Sequence, residues 1–556
     1  MPFIQKTSPP PNKVEFFNVT DFYGGLNNRD SYIELESTQS SDLMNIDFFS
    51  EKGVVQKRKG TQLYDEIVLD DGEEVEPSPV AVTFLDVYKP INSPHVVVRA
   101  SNSEVWVDEE KVADVLGKVE GTTFNGKYYF VDSDKIRIYG TFPQSEDTYT
   151  KIIGTAVEDN IVMELVMPPS DFTPLDSTHK VGITRYNYTE LKCWYEPCEN
   201  EIGDDYKGAN VFLATANNIA FHKDRMYITS PDDKHTIYIS DIFNPMYFPN
   251  LLSIQLPPNG DEIVGLKVFH DSMIVGRKED IHVIYGNTNR TDVMMDLFLL
   301  KKINTHTGLM NKGNVHQVHN HLFFLGSDGE YYGMHTTQTN EQILATQVIN
   351  KTVDIKAKPL ECADVDIQNS TGIFYNGLYF SSIGGIILVY SYLYRSWSVF
   401  DGINATSFIK FQNKLLIGDT QGRVVEFGHG YNDCGNAIVA YWASKRHALQ
   451  TSSVVKKFKQ MYVVAEAWEE FLSEVSLKVE VDYEEVDVGY TIRSLIPRWG
   501  VAVWGDIFAK WNIQKSLPII INKRGRLIRF VFANAEVDQN FKIYEINGEY
   551  EVRGFR

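Results

Sequence analysis

Six times the chain repeats one short pattern: an apolar or aromatic residue, a polar residue, a turn former, then three mostly apolar residues. The copies begin at Phe124, His222, Phe269, Val318, Tyr375 and Phe411. Their third positions are Gly126, Asp224, Asp271, Asn320, Gly377 and Asn413, residue types that enter tight turns with little strain. Second turns such as Ser327-Asp328-Gly329 and Gly384-Gly385 follow, each leading into another β-rich run. Turn, strand, turn, strand at a period of tens of residues signals an array of like units. From 222 onward the copies start 47, 49, 57 and 36 residues apart. Four short strands with their turns need roughly 40–50 residues, one blade of a β-propeller.

The expected fold is therefore all-β: a β-propeller over 76–430, with six to eight blades and seven as the best count. The competing reading is an irregular β-sandwich with coincidental hairpins. The 98 residues from the copy at 124 to the copy at 222 hold either a blade with an insertion or two poorly matching blades. We assign 155–215 to a β-rich insertion. Its Tyr186, Tyr188, Trp194 and Tyr195 could form an aromatic platform for glycans, and strand-face packing explains them equally well.

The flanks differ from the repeat. Residues 1–75 read as an N-terminal arm and assembly segment, with Pro2 to Pro11 a flexible tail. After 430 the repeat stops, and 431–556 reads as a C-terminal β-sandwich-like domain whose 465–475 stretch could instead be a short helix. Met1 to Val14 lacks the apolar core of a signal peptide. Asp366 and Arg395 enclose 28 uncharged residues, but glycines and polar residues interrupt them in the repeat register, so a buried hairpin is expected there and not a membrane-spanning helix. Four cysteines (Cys193, Cys198, Cys362, Cys434) form no CxxC pair, which excludes a disulfide scaffold and fits a reducing cytoplasm.

Charge and motifs narrow the function classes. With 53 basic against 74 acidic residues the net charge is -21, and there is no basic excess for counterion-displacing grooves on nucleic acid. The acidic run from Asp65 to Glu76 lacks calcium-loop spacing and reads as a solvated loop. There is no G-x-S-x-G elbow, H-E-x-x-H pair, P-loop or sialidase box. His316, His319 and His321 are the nearest approach to a metal set, but 316 would face away from the other two on a strand, and 319 occupies a turn-flanking repeat position. No catalytic, cofactor or metal residue is assigned, and no enzyme is expected.

The arm carries a resemblance. Phe22-Tyr23-Gly24-Gly25-Leu26-Asn27-Asn28-Arg29, Ser41-Asp42, Asn45-Ile46-Asp47 and Lys57-Arg58-Lys59-Gly60 resemble the opening of tail hub and tail nozzle (packaged-DNA stabilisation) proteins of short-tailed bacteriophages. Ile239 to Pro249 and Lys523-Arg524-Gly525-Arg526 with Phe541 to Tyr544 are similar to later parts of that family. The likeness covers about a quarter of the chain and leaves out the insertion. It implies a virion protein, assembled in the host cytoplasm. It would form a homo-oligomeric ring, usually a hexamer, below the portal and head-to-tail adaptor. The ring would continue the DNA exit channel, retain the genome and guide its ejection, with acidic walls keeping the passing DNA mobile. Assembly contacts are then expected at Phe22, Gly24, Gly25, Leu26, Asn27, Arg29, Asn45 and Arg58, and removal of 1–60 should abolish the ring while leaving the propeller folded. The alternatives are a glycan- or receptor-binding propeller at the tail tip and a sugar-cleaving propeller.

Overall fold

The computed structural model describes 14–66, 80–140, 161–165, 184–187, 192–195, 215–286, 298–466, 473–494 and 518–555, apart from single residues and short stretches inside those spans. Seven sheets among the described residues begin as antiparallel meanders, five of them of four strands and two of six. Their first strands are Val82–Tyr88, Glu120–Phe124, Asn218–His222, Ile263–Phe269, His316–Val318, Thr371–Tyr375 and Ala405–Phe411. These strands follow one another around an axis, and Ala405–Phe411 packing on Val82–Tyr88 brings the last sheet round to the first. The fold is a β-propeller.

The sequence repeat is the hairpin between the first and second strands of blades two to seven. In all six copies the polar residue before the turn former adopts positive φ: Asn125 (47°), Lys223 (48°), His270 (50°), His319 (53°), Asn376 (48°) and Gln412 (46°). In four of them the next residue (Gly126, Asp224, Gly377, Asn413) does so as well. Two successive residues at positive φ give the turn whose twist matches the right-handed twist of the paired strands. Blade one departs from the pattern, its first two strands being joined by the longer segment between Tyr88 and Val96.

Separate apolar clusters fill the contacts between blades. Val131, Ile136 and Ile138 of blade two meet Ile219, Met226 and Ile228 of blade three, and blades three and four share Ile237, Ile239, Leu266 and Met273. Each such side chain contributes about 1.5–3 kcal/mol on burial. The contact between blades five and six merges with a far larger core that runs into a second, two-sheet body.

That body corrects the expected domain division. One of its sheets runs Ile46–Asp47, Val55–Lys57, Lys542–Phe555, Val454–Glu466, Ile519–Gly525, with Val14–Val19 also on Lys542–Phe555. The other runs Gly25–Leu26, Gln39–Met44, Ala440–Ser444, Ile528–Asn534, Ser473–Val481, Glu484–Ser494. The arm is therefore no separate segment over 1–75: it supplies strands to both sheets of the sandwich. Phe17, Leu43 and Ile46 are buried, and the C-terminal strands cover them.

The arm then enters the propeller. Gly60–Glu66 pairs antiparallel with Arg423–His429 and is the fourth strand of blade seven, so the propeller also begins earlier than residue 76. A β-carbon at Gly60 would lie 1.8 Å from the Asn432 carbonyl oxygen, which explains glycine there. Removing 1–60 would therefore take the arm strands out of the sandwich and Gly60 out of the closing strand.

The insertion is also narrower than 155–215. Ile161–Leu165 is the fourth strand of blade two, and the hairpin Thr184–Asn187 with Lys192–Tyr195 extends that sheet, Lys192–Tyr195 running parallel to Ile161–Leu165. A blade with an extension thus occupies the long gap. The uncharged stretch after Asp366 supplies three strands of blade six, Thr371–Tyr375, Leu378–Ile383 and Ile386–Ser391. Among the described residues no helix is long and apolar enough to cross a membrane. Residues 465–475 hold strand at both described ends, in Val454–Glu466 and Ser473–Val481.

Candidate functional site: the axial channel

Polar side chains gather where the first strands meet. Asp86, Glu120, Lys267 and His316 come from the first strands of blades one, two, four and five. Lys118 precedes the first strand of blade two, and Lys312 lies in the short 3-10 turn Lys312–Asn314 ahead of blade five. Asp86, Lys267 and His316 remain accessible to water at the half-buried level while protein surrounds them, as expected of groups lining a narrow channel. A cavity of about 500 Å³ opens between the first strands of blades seven, one and two. Asp86, Lys89, His95, Thr122, Lys410 and Gln412 are among its lining residues.

The channel charges perturb one another. Asp86 Oδ2 accepts from the Tyr128 hydroxyl at 2.8 Å, and its Oδ1 accepts from the Val87 amide at 2.8 Å. Burial nevertheless pushes the Asp86 carboxyl up to about 6, against those bonds and against Lys89 and Lys267. Burial, then the Asp86 charge, raises the Tyr128 phenol well above its ordinary value. The Lys312 ammonium pairs with Glu120 and also donates to the Ile219 carbonyl at 3.2 Å. Lys267 is pulled down to about 8, first by burial and then by Lys312, with Glu120 and Asp86 acting the other way. Burial likewise lowers Lys118. His316 is driven down to about 3 by burial and by Lys267, and its ring N–H donates to the Gly313 carbonyl at 3.1 Å, so it sits neutral. Lys267 and Lys312 thus lie half-buried near Glu120 and Asp86, with Lys312 already paired, while Lys89, Lys118 and Lys410 are exposed.

The residues expected to make assembly contacts lie mostly inside the chain. Phe22 is buried edge-on against Trp442 at 5.0 Å, and Leu26 is fully buried. The Gly24 amide donates to the Thr38 carbonyl at 3.0 Å, and Gly25 has φ 69° with Trp397 backbone against it. Asn27 donates to Asp30 and Gln39 at 2.8 and 2.9 Å. Arg29 reaches the Glu330 carboxylate of blade five at 2.6 Å. Arg58 is buried and donates to Asn45 Oδ1 at 2.7 Å, Asp433 Oδ1 at 2.9 Å and the Asp401 carbonyl at 2.8 Å. Within the chain these residues staple the sandwich to blades five, six and seven.

Of the glycan platform, Tyr186, Trp194 and Tyr195 lie on the blade-two extension, but their side chains, and Tyr188 altogether, fall outside the described residues. So do Asp241, Phe243, Asn244 and most of the acidic run to Glu76. His319 sits in the blade-five turn, its ring 5.6 Å from Phe374 and 5.1 Å from Tyr392, while the His321 ring lies 5.3 Å from His335. Among the described residues no group of three or more His, Cys, Asp or Glu side chains could hold a metal ion. Cys362 and Cys434 are free thiols.

Sequence reasoning missed the axial cluster, whose members lie on five different blades at no fixed spacing. It also missed the closing strand, although a signal existed: only three strands fit between Ala405 and the end of the repeat near Gly430, so a fourth had to come from elsewhere.

No protein-family profile matches the chain, and no curated protein matches it. Similar solved structures include the computationally designed Ika8 protein, at 12% identity and TM-score 0.33, covering 64% of this chain and 98% of that one. PorZ, an essential surface component of the type-IX secretion system of Porphyromonas gingivalis, matches at 11% identity and TM-score 0.33, over 69% of this chain and 44% of PorZ. BamB from Moraxella catarrhalis matches at 9% identity and TM-score 0.30, over 66% of this chain and 97% of that one. None of these likenesses bears on what this chain does.

Proposed function

We propose that this chain is a structural component of the tail of a short-tailed bacteriophage. It would be one copy in a nozzle or hub ring, a hexamer in the family it resembles, that continues the DNA exit channel, retains packaged DNA and guides its ejection. The observation that carries the reading joins the two ends of the resemblance. The arm strand holding Val55 and Gln56 pairs with Ile543 and Lys542, so stretches nearly 500 residues apart in the chain belong to one sandwich. Separate likenesses that interlock in space favour a common origin over coincidence. The net charge of -21 also suits a wall past which a polyanion must slide.

In this reading the protein is assembled in the host cytoplasm and resides in the virion beside the head-to-tail adaptor. DNA runs through the lumen between copies, since the cavity within one propeller holds a small molecule and not a duplex. The test is electron cryo-microscopy of particles carrying a tag on this chain, with the mass of the purified assembly. The expected result is tag density around the tail channel and a mass that is a whole multiple of 63.5 kDa. Absence of the chain from purified particles overturns the proposal. Tag density at the tail tip, with binding to host wall polysaccharide, would transfer the role to receptor recognition.

A further inference from the structure

We propose that two edges of one sandwich sheet, Val14–Val19 and Ile519–Gly525, are where copies of this chain join, each edge pairing with the other edge of the next copy. The inference rests on the homo-oligomeric ring proposed above and names the surfaces that meet in it.

Among the described residues both strands have a neighbour on one side only. Val14–Val19 lies on Lys542–Phe555, and Ile519–Gly525 lies on Val454–Glu466. An unpaired edge is a template for another strand, and chains that stay single blunt it with lysine, proline or a bulge. Val14–Val19 reads Val-Glu-Phe-Phe-Asn-Val and keeps its register through six successive pairs, with none of these devices. Phe16 is 78% exposed there, and Ile520 is 71% exposed on the opposite edge. Those two side chains share a face, since one cross-strand row runs Phe16, Glu549, Gln460, Ile520 across the sheet.

Strand sense and charge identify the occupant as a second copy. Every pairing from Val14–Val19 across to Ile519–Gly525 is antiparallel, so the two edge strands run in opposite directions. A copy that continues the sheet in the same sense therefore sets its Ile519–Gly525 antiparallel to Val14–Val19. The register that keeps the sandwich-facing residues on one face puts Phe17 opposite Ile521, Val19 opposite Ile519 and Glu15 opposite Lys523. Glu15 is held at its edge by the Tyr550 hydroxyl at 2.8 Å, and the Lys523 side chain is 44% exposed. Two Ile519–Gly525 edges would instead bring Lys523 and Arg524 against their own kind, which disfavours pairing of like edges. Contact between unlike edges is heterologous, the kind that closes into a ring.

The experiment is the mass of the full chain in solution, measured by light scattering. The parent should give a whole multiple of 63.5 kDa. Glu15→Lys and Lys523→Glu should each fall to 63.5 kDa, because each sets like charges opposite one another. Mixing the two variants should restore assembly, since each then meets its opposite charge on the other. If a charge variant fails to fold, Phe16→Lys, at an exposed side chain, carries the test and should also give the single mass. A parent that stays at 63.5 kDa, folded variants that keep the parent mass, or a mixture that does not assemble overturns the proposal. Variants that keep the parent mass leave the ring reading in place and put its contacts elsewhere. Absence of the chain from phage particles removes the tail reading without altering the mass series.

Discussion

Arg58 and Asn45 stand 13 residues apart in the chain, and the Arg58 Nε donates to Asn45 Oδ1 at 2.7 Å. Asn45 holds φ 57°, an arrangement asparagine tolerates better than most residues. From there its amide N–H reaches the Val399 carbonyl of blade six at 2.7 Å, and its side-chain N–H reaches Val439 at 2.8 Å. One buried pair thus fastens the arm, a propeller blade and the C-terminal segment together.

Replacing Arg58 by methionine should be strongly destabilising. Asp433 keeps the Thr61 hydroxyl at 3.2 Å but loses its guanidinium, leaving a largely buried carboxylate without its cation. Breaking a buried pair in this way costs about 3–5 kcal/mol. Thermal denaturation should show a large fall for Arg58→Met and a smaller one for the double variant with Asp433→Asn. Equal falls for the two would mean that the charge imbalance is not the cause.

Gly25→Ala and Gly377→Ala separate strain from crowding. Both glycines have positive φ, 69° and 80°. A β-carbon on Gly25 would meet the Trp397 carbonyl oxygen at 2.5 Å, whereas nothing lies within 4 Å of one on Gly377. Gly377→Ala should cost about 1–2 kcal/mol from backbone strain alone. Gly25→Ala adds a backbone clash and should cost about 2–4 kcal/mol. Urea denaturation of the two variants measures the difference.

Cutting the chain after Glu66 and discarding the arm should unfold more than the sandwich. Blade seven would lose its fourth strand and expose the edge of Arg423–His429. Limited proteolysis should show cleavage inside the propeller of the shortened chain at protease levels that leave the full chain intact. A resistant fragment running from about residue 80 to residue 430 would contradict this.

Acid should weaken the protein through two buried histidines. His447 is held down to about 4, by burial and then by Lys445, and His316 down to about 3. Both are neutral when folded, yet they take up protons near pH 6.5 when unfolded, so stability falls as pH drops below about 6.5. Asp86 has the opposite sign. Its raised carboxyl lets the folded chain bind an extra proton between about pH 4 and 6, a contribution lost as pH rises through 6. His447 Nε2 has no hydrogen-bond partner, so His447→Phe forfeits none there. That variant should raise the melting temperature at about pH 4.5 and leave it nearly unchanged at about pH 8. Asp86→Asn should do the reverse, stabilising at about pH 8 and not at about pH 4. Parallel shifts at both pH values would show that neither group governs the profile.

The repeat from Phe124 to Phe411 was readable because a hairpin is local. A turn former, a preceding residue that accepts positive φ and apolar alternation sit within seven residues, and each copy folds back on its own neighbours. Phe22, Asn45 and Arg58 were legible as unusual but were assigned outward, because their partners Trp442, Val399 and Asp433 lie hundreds of residues away. The axial lysines were not legible at all, since each looks ordinary on its own strand.

The order of residues alone determined that this chain would be built from short antiparallel hairpins, because turn strain and side-chain alternation act over a few bonds. Which edge receives Gly60–Glu66, which strands cover Phe17 and Leu43, and which charges meet on the axis were decided only by closure of the ring. Those contacts join distant segments, and their energies exist only once the separate blades have packed.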